Sequence, residues 1–288
     1  MRRCNMNRYL LFSLLIFTSM SLSFGQELIS KSVEGEIPLN PMADIWNKAP
    51  STTIQLSGQA IVAPMDLNPA TKSITVKSIH NSKYIAFLLS WSDPHPSTFR
   101  VNDKFSDAVA LEVPLKPDNT TPITMGGNGK EVVILQWAAY RQYNITKGFA
   151  DIPKIEPYYY TGYIYPQAKP PYAYPKDWNN KYAQDYVGGK VPYWKNTRDT
   201  SVIEFIADGY TTTTWRKHQE AKGVGVYKNG KWYVEIIRPF YIKGALNPEW
   251  GPNSKTFIDF AVWQGYAKER DSRKAISYAW IPLIIEGK

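Results

Sequence analysis

The chain has 288 residues, a formal net charge of +9 and an aromatic content of 14%. Its lysines and arginines are scattered along the sequence rather than grouped in blocks that alternate with aromatic residues. Because a single-strand nucleic-acid channel needs such blocks, this pattern excludes nucleic acid as the expected partner. A moderately basic surface favours an acidic protein partner instead.

The first 25 residues have the pattern of a secretory signal peptide. Three arginines precede an apolar run at residues 9–17, and small residues follow it up to Gly25. This order predicts an exported chain that begins near Gln26, in a periplasm or an equivalent internal lumen. The apolar run is shorter than the ~18 residues of a spanning helix, and no later stretch approaches that length, so no membrane span is predicted.

The single cysteine, Cys4, lies inside the predicted signal peptide. The mature chain therefore has no disulfide, no attachment site for c-type haem and no thiolate ligands for an iron–sulfur cluster. The histidines His80, His95 and His218 are too far apart to show a metal-binding spacing. Any redox cofactor must be held by non-covalent contacts and by Met, His, Lys or Tyr side chains.

Short strand-like runs separated by turn residues follow one another along the mature chain. The run at 83–91 is continuously apolar, which indicates a strand buried on both faces. Asn229-Gly230 predicts the tight turn of a β-hairpin. We predict an all-β fold, an immunoglobulin-like antiparallel β-sandwich, in one domain from residue 26 to 288. The predicted strands cover residues 52–56, 60–65, 73–79, 83–91, 105–115, 132–137, 201–207, 222–227, 232–239, 257–263 and 275–285.

Residues 140–196 interrupt this pattern with a long segment that is dense in tyrosine and proline. Proline cannot supply a regular ladder of hydrogen bonds, so the segment is predicted to be an insertion rather than a second core. It is either a surface loop that packs on itself or a segment that contacts a cofactor or partner.

Met125 stands in a glycine-rich turn between two predicted strands, in the sequence PITMGGNG. Glycines permit close approach of the backbone to a ligand. A thioether is a soft, neutral ligand for reduced iron or copper, so Met125 is a candidate axial ligand. The alternative is a methionine that fills a gap in the core.

Five motifs carry a resemblance to a known family: DKFSDAVALEVPL, PITMGG, ILQW, KGVGVYKNGKWYVEIIRPF and FAVWQGYAKERDSRKAISYAWIPL. In this order they resemble the haem b-binding γ subunits of ethylbenzene dehydrogenase-like enzymes. These enzymes belong to the DMSO reductase (type II molybdoenzyme) family, which includes nitrite oxidoreductase-type complexes. The resemblance implies an immunoglobulin-like sandwich that holds one haem b between an axial methionine and an axial lysine.

The resemblance places the axial methionine at Met125 and the axial lysine at Lys222, with Lys231 as the second choice. A lysine amine binds iron only when it is deprotonated, and burial beside an apolar macrocycle lowers its pKa. Arg238 is a candidate partner of a haem propionate, or else an arginine on a strand edge. Trp137 and Trp263 are candidate pocket walls, or else core residues.

The implied function is a non-catalytic electron-transfer subunit of an exported complex. Its implied partners are a molybdopterin catalytic α subunit, an iron–sulfur β subunit and an external cytochrome. Two other functions stay open from the residues alone. One is a carbohydrate-binding β-sandwich, because the chain has ten tryptophans. The other is a hydrolase that uses Asp103 and Asp107.

Overall fold

The computed structural model describes residues 26–100, 103–147 and 200–287. The predicted signal peptide lies outside the described residues, as does most of the predicted insertion. Nearly all regular structure in these ranges is β-strand. The strands are β1 (Leu28–Ser32), β2 (Thr52–Gln55), β3 (Ser57–Gly58), β4 (Ser73–His80), β5 (Tyr84–Ser92), β6 (Ala108–Pro114), β7 (Val132–Ala138), β8 (Val202–Ala207), β9 (Thr214–Trp215), β10 (Lys222–Lys228), β11 (Lys231–Pro239), β12 (Ser254–Trp263), β13 (Ala275–Ile276) and β14 (Ile281–Ile285). The helical segments are α1 (Ala139–Lys147) and two 3-10 helices (Asp44–Lys48 and Gly265–Ala267).

The strands form two layers that share one long strand. The first layer has the order β10-β11-β5-β4-β1-β14, and the second has the order β12-β6-β7-β8-β9. Residues 254–258 of β12 pair with β14, whereas residues 259–263 pair with β6, so β12 passes from one layer to the other. The all-β sandwich predicted from the sequence is confirmed. Within it, β1 runs parallel to both β4 and β14, which the antiparallel prediction did not include.

The core lies between the two layers because side chains alternate along each strand. On β6, Val109 and Leu111 point into the core, whereas Ala108, Ala110 and Glu112 point away from it. The first layer contributes large apolar side chains to the same core. These include Phe87, Leu89 and Trp91 of β5 and Val234 and Ile236 of β11.

The outer face of the first layer is covered by the segment that follows β1. Trp46 and Ile37 of that segment pack on Ala86 and Leu88 of β5. The strand is therefore buried on both faces, as its continuous apolar run predicts. The outer face of the second layer carries its own small apolar cluster, in which Met125 takes part.

The segment at 60–65, predicted as a strand, is instead a loop. The Gln59 side chain holds it, because its Oε1 accepts the Val62 N–H at 2.6 Å and its Nε2 donates to the Ser272 carbonyl at 3.0 Å. Pro64 cannot donate to a ladder, so an apolar run that contains it does not become a strand here. The predicted hairpin turn is confirmed, since Asn229 and Gly230 both have positive φ, at 52° and 74°.

No helix among residues 26–100, 103–147 and 200–287 is long and apolar enough to cross a membrane.

Candidate functional site

A cavity of about 1830 Å³ lies against the outer face of the second layer. Its floor is built from β6, β7 and β12, where four of the outward positions are alanines. Ala108 and Ala110 of β6, Ala138 of β7 and Ala261 of β12 all line it. Because an alanine ends at Cβ, these positions leave room above the sheet, and larger side chains of the same strands border that room. A planar ligand can enter such a space.

Met125 lines this cavity from the turn between β6 and β7. The turn is closed by a hydrogen bond from the Gly126 N–H to the Pro122 carbonyl at 3.0 Å, and the Gly209 N–H donates to the Met125 carbonyl at 2.8 Å. A Cβ on Gly126 would lie 2.5 Å from the Lys130 carbonyl oxygen, so only glycine fits there. Met125 itself has φ of 68°, in the left-handed region that non-glycine residues rarely adopt.

This backbone conformation costs of order 1–3 kcal/mol and is concentrated at functional sites in proteins. The Met125 side chain is half-buried and packs beside the cavity-face cluster rather than in the central core. A methionine that only fills a gap in the core does not require a strained backbone. The geometry of the turn therefore favours a positioned thioether.

Lys274 lines the same cavity from the bend that precedes β13 (Ala275–Ile276). It directly precedes β13, in which Ala275 pairs with Val262 of β12. The Gln59 N–H donates to the Lys274 carbonyl at 3.1 Å and fixes the backbone. The Lys274 Nζ lies 5.1 Å from the centroid of the Trp263 ring. Burial lowers the pKa of Lys274, although the nearby carboxyl groups oppose this effect.

Two buried carboxyl groups lie next to Met125 and Lys274. Glu112 and Asp259 are directly opposite each other in the β6–β12 ladder, and both line the cavity. Burial raises the pKa of Asp259 to about 8, and burial followed by the Asp259 charge raises the pKa of Glu112 well above its ordinary value. The nearby Lys274 charge and Met125 backbone N–H oppose this rise in the pKa of Glu112. Glu112 therefore lies close to both the methionine turn and the lysine.

The other end of the floor carries two arginines around one tyrosine. The Nη1 atoms of Arg100 and Arg141 lie 3.3 Å and 3.4 Å from the Tyr140 hydroxyl. Both guanidinium groups also lie over the Tyr140 ring, at 5.4 Å and 5.3 Å from its centroid. Burial raises the pKa of Tyr140, but the two positive charges outweigh burial, and the pKa is lowered.

The structure places the lysines predicted as ligands away from this cavity. Lys222 and Lys231 are exposed on β10 and β11, which belong to the other layer, and neither is among the cavity-lining residues. The cavity thus brings Met125 together with Lys274, and not with Lys222 or Lys231.

Arg238, predicted as a partner of a propionate, is fully buried in an ion-pair cluster. Its Nε lies 2.9 Å from Oε2 of Glu204, and Arg216 approaches the same oxygen at 3.3 Å. The Arg238 side chain also donates to Oδ1 of Asn247 at 3.1 Å. It does not line the cavity. Its guanidinium is therefore paired within the protein, because a buried charge is stable only with a counter-charge and hydrogen-bond partners.

The two tryptophans predicted as pocket walls are separated by the sheet. Trp137 is fully buried in the central core, on the inner face of β7, and its ring contacts Trp232. Trp263 lines the cavity from β12. One of the two therefore lies in the core and the other at the site.

The aspartates of the hydrolase hypothesis do not form a pair. Asp103 is exposed, whereas Asp107 is fully buried. The Asp107 carboxylate accepts the Gly265 N–H at 2.8 Å and the Trp232 Nε1–H at 3.0 Å. Burial, with the charge of Asp93, raises the pKa of Asp107 to about 8. Asp107 therefore ties loops to the core.

Among the described residues, no cluster of three or more His, Cys, Asp or Glu side chains is suited to a metal ion.

Sequence reasoning missed Lys274, Glu112 and Asp259. The available signal was alternation: Glu112 and Asp259 are charged residues at outward positions of otherwise apolar strands, ALEVP and FIDFAVW. Acidic residues on a face next to small alanines indicate a covered polar site rather than open solvent. Lys274 had no such signal, because it follows a charged turn in which lysine is ordinary.

The chain is thus an all-β sandwich with a large cavity on the outer face of one layer, lined by a thioether, an amine and arginines. Residues 43–275 match the model of the ethylbenzene dehydrogenase family. The chain belongs to this family.

Two proteins that are similar to this chain are named as subunits of reductases. The chain is 22% identical over 255 residues to the chlorate reductase subunit gamma of Ideonella dechloratans, covering 88% of this chain and 82% of that protein. It is 20% identical over 241 residues to a candidate respiratory nitrate reductase heme subunit, ORF7, of Haloferax mediterranei. That match covers 83% of this chain and 66% of the relative's length, so the chain spans just under two thirds of the Haloferax protein.

Solved structures with a related outline are carbohydrate-binding modules of family 9 from Caldicellulosiruptor kristjanssonii. The complex with cellotriose has a TM-score of 0.41 and the complex with glucose 0.39, each at 8% identity and with 91% of this chain covered. The matches cover 95% and 97% of those chains. At this level of similarity they carry no argument about function.

Proposed function

We propose that this chain is a haem b electron-transfer subunit of an exported molybdopterin oxidoreductase complex, with the haem in the outer-face cavity between Met125 and Lys274. The observation that carries the proposal is that one cavity with an alanine floor receives both a thioether and an amine. The family of the chain and the names of its relatives support the same function.

The residues of the cavity fit a haem on three counts. The four alanines of the floor leave room for a flat macrocycle. The Met125 thioether is a soft ligand that favours ferrous iron. The Lys274 amine is held where burial lowers its pKa, which favours the neutral form that can bind a metal.

Met125 and Lys274 would hold the iron, and two protein donors would leave it no open position for oxygen or substrate. When bound, the haem supplies one-electron transfer. The protein's own contribution is to hold the two donors on rigid backbone: Met125 in the closed turn at 122–126, and Lys274 at the start of β13. Rigid ligands keep the coordination unchanged between oxidation states.

The proposed partners of this chain are those of a γ-type subunit in a molybdoenzyme complex. A γ-type subunit of this family works with a molybdopterin α subunit and an iron–sulfur β subunit, and passes electrons between them and an external cytochrome. The reductase names of the two relatives support this assembly. The signal-like pattern at residues 1–25 supports export to a periplasm or an internal lumen.

The test of the proposal is the dithionite-reduced visible spectrum of the full chain expressed with haem supplied. The wild-type protein is expected to show the sharp α band of a low-spin b-type haem, with a matching pyridine haemochrome. Met125→Ala is expected to lose or convert this spectrum, because the thioether is removed. Met42→Ala is the control, since Met42 is an exposed methionine outside the cavity. An unchanged low-spin spectrum in Met125→Ala overturns the assignment.

A further inference from the structure

The end of the cavity at Tyr140 carries the positive charges of Arg100 and Arg141. Arg141 is only 3% exposed. Its Nε donates to the Ser201 carbonyl at 2.9 Å, its Nη2 to the Gln136 carbonyl, and its Nη1 to Gln136 Oε1 at 3.3 Å. All of these acceptors are neutral. Among the described residues, no carboxylate lies within ion-pair distance of Arg141 or Arg100.

A buried guanidinium is costly unless an anion compensates its charge. Elsewhere in the fold, the buried Glu204 carboxylate compensates the charges of both Arg216 and Arg238. At Tyr140 two guanidinium groups meet, and residues 26–100, 103–147 and 200–287 place no such carboxylate beside them. A negatively charged molecule in the cavity would compensate the charge of the buried Arg141.

The Tyr140 hydroxyl supports the same reading. It accepts from both guanidinium groups, at 3.3 Å and 3.4 Å. Its own hydrogen is then available to donate to a third group. Two guanidinium groups and one hydroxyl donor around a single point form a recognition site for a carboxylate.

Glu112 and Asp259 lie at the other end of the floor, whereas Glu269 and Asp271 line the cavity from the segment after β12. Ala108 pairs with Ala138, which lies two residues before Tyr140, whereas Glu112 pairs with Asp259. Ala108 and Glu112 are four residues apart on β6, which corresponds to about 13 Å at ~3.3 Å per residue. The floor thus has two arginines at one end and two carboxyl groups at the other, and this order favours an occupant that turns its carboxylates toward the arginines.

We propose that Arg100 and Arg141, with the Tyr140 hydroxyl, bind the carboxylates of the occupant and so fix its orientation in the cavity. The inference rests on the proposed function, in which the occupant is haem and the carboxylates are its propionates. Arg238, one candidate for this role from the sequence, is instead paired with Glu204. No iron ligand takes part in this contact.

The experiment compares iron protoporphyrin IX with its dimethyl ester, which lacks the two negative charges but keeps the ring and the iron. Each is titrated into the full apo chain, and the dissociation constant is read from the visible spectrum. The wild-type chain is expected to prefer the free acid by about tenfold to a hundredfold, as for charge-assisted hydrogen bonds in a partly buried site. Arg100→Gln and Arg141→Gln are each expected to reduce that preference at least about threefold.

The position of the α band at saturation distinguishes loss of the carboxylate contact from loss of the iron ligands. Both arginine variants are expected to keep the low-spin spectrum, because the axial ligands are intact. Lys255→Gln is the charge-matched control, since Lys255 is exposed outside the cavity and its loss should leave the preference unchanged. Arg100 is exposed, so its variant tests the proposal even where Arg141→Gln fails to fold.

Equal affinity of the wild-type chain for the acid and the ester overturns the inference and leaves the haem assignment standing. A full acid preference in Arg100→Gln overturns it as well. Failure of the wild-type chain to bind either compound overturns the proposed function, and the carboxylate site with it.

Discussion

At the scale of single residues, the sequence singles out one donor of the site and not the other. Met125 is recognisable because Pro122 and three glycines surround it in a turn between strands. Lys274 is not recognisable, since its position at the cavity depends on the pairing of β13 with β12 and on the loop held by Gln59. Such contacts between distant segments leave no local pattern in a sequence.

The same limit applies to Arg238. Its position near the end of a predicted strand is compatible with a surface, an ion pair or a ligand contact. In the fold it meets Glu204, which is 34 residues earlier in the chain. The buried cluster of Arg238, Glu204 and Arg216 gives Arg238 a structural role, which a substitution of Glu204 can test.

Glu204→Gln is expected to lower the free energy of unfolding by about 3–5 kcal/mol, because it leaves two guanidinium groups buried without a counter-charge. The measurement is urea unfolding of the apo chain. Glu286→Gln is the control: Glu286 pairs with Lys31, both side chains are about a third exposed, and loss of such a pair costs about 1 kcal/mol or less. Equal losses in the two variants would contradict the structural role of the cluster.

At the scale of elements, alternation and turn residues predicted most of the strands. The hairpin of β10 and β11 forms about its Asn-Gly turn, and β5 is buried on both faces as its composition indicates. Short β1, with the sequence LISKS, escaped prediction because it has no strong apolar pattern. Its two parallel neighbours, β4 and β14, are far away in sequence. Long-range pairing of this kind is set by the whole fold.

The hairpin also shows how closely the two layers approach. A Cβ on Gly225 of β10 would lie 2.4 Å from the ring of Trp137, which is fully buried on β7. Glycine at this position lets the hairpin backbone pack directly on the indole ring. The motif KGVGVY includes this glycine, but the motif alone does not show that Trp137 packs against it.

Gly225→Ala is therefore expected to destabilise the fold by about 1–3 kcal/mol through overpacking against Trp137. Urea unfolding again provides the measurement. Gly251→Ala is the matched control, since nothing lies within 4 Å of a Cβ at Gly251. If Gly225→Ala is as stable as Gly251→Ala, the direct packing of the hairpin on Trp137 is wrong.

At the scale of the whole molecule, buried carboxyl groups set the pH dependence of stability. Burial raises the pKa of Asp107 and Asp259 to about 8 and that of Glu235 to about 7. In the unfolded chain these groups have pKa values near 4. Between these values the folded state binds more protons than the unfolded state, so stability falls as pH rises.

The apo chain is expected to be more stable at pH 5 than at pH 8, with a loss of about 1.4 kcal/mol per pH unit for each proton by which the two states differ. Unfolding free energies measured in urea at several pH values give this slope. Asp259→Asn is expected to reduce the slope, because the amide imitates the protonated carboxyl. Stability that rises from pH 5 to pH 8 would contradict the assignment of neutral buried carboxyl groups.

We propose that Met125 and Lys274 are the two donors that hold the iron in one cavity. The reduced visible spectrum of Lys274→Ala, compared with that of Lys222→Ala, tests this assignment, each variant being the full chain loaded with haem. We expect Lys274→Ala to lose the low-spin α band, while Lys222→Ala, which removes an exposed lysine on β10, keeps it. A low-spin band that survives in Lys274→Ala, or that disappears in Lys222→Ala, would contradict the assignment.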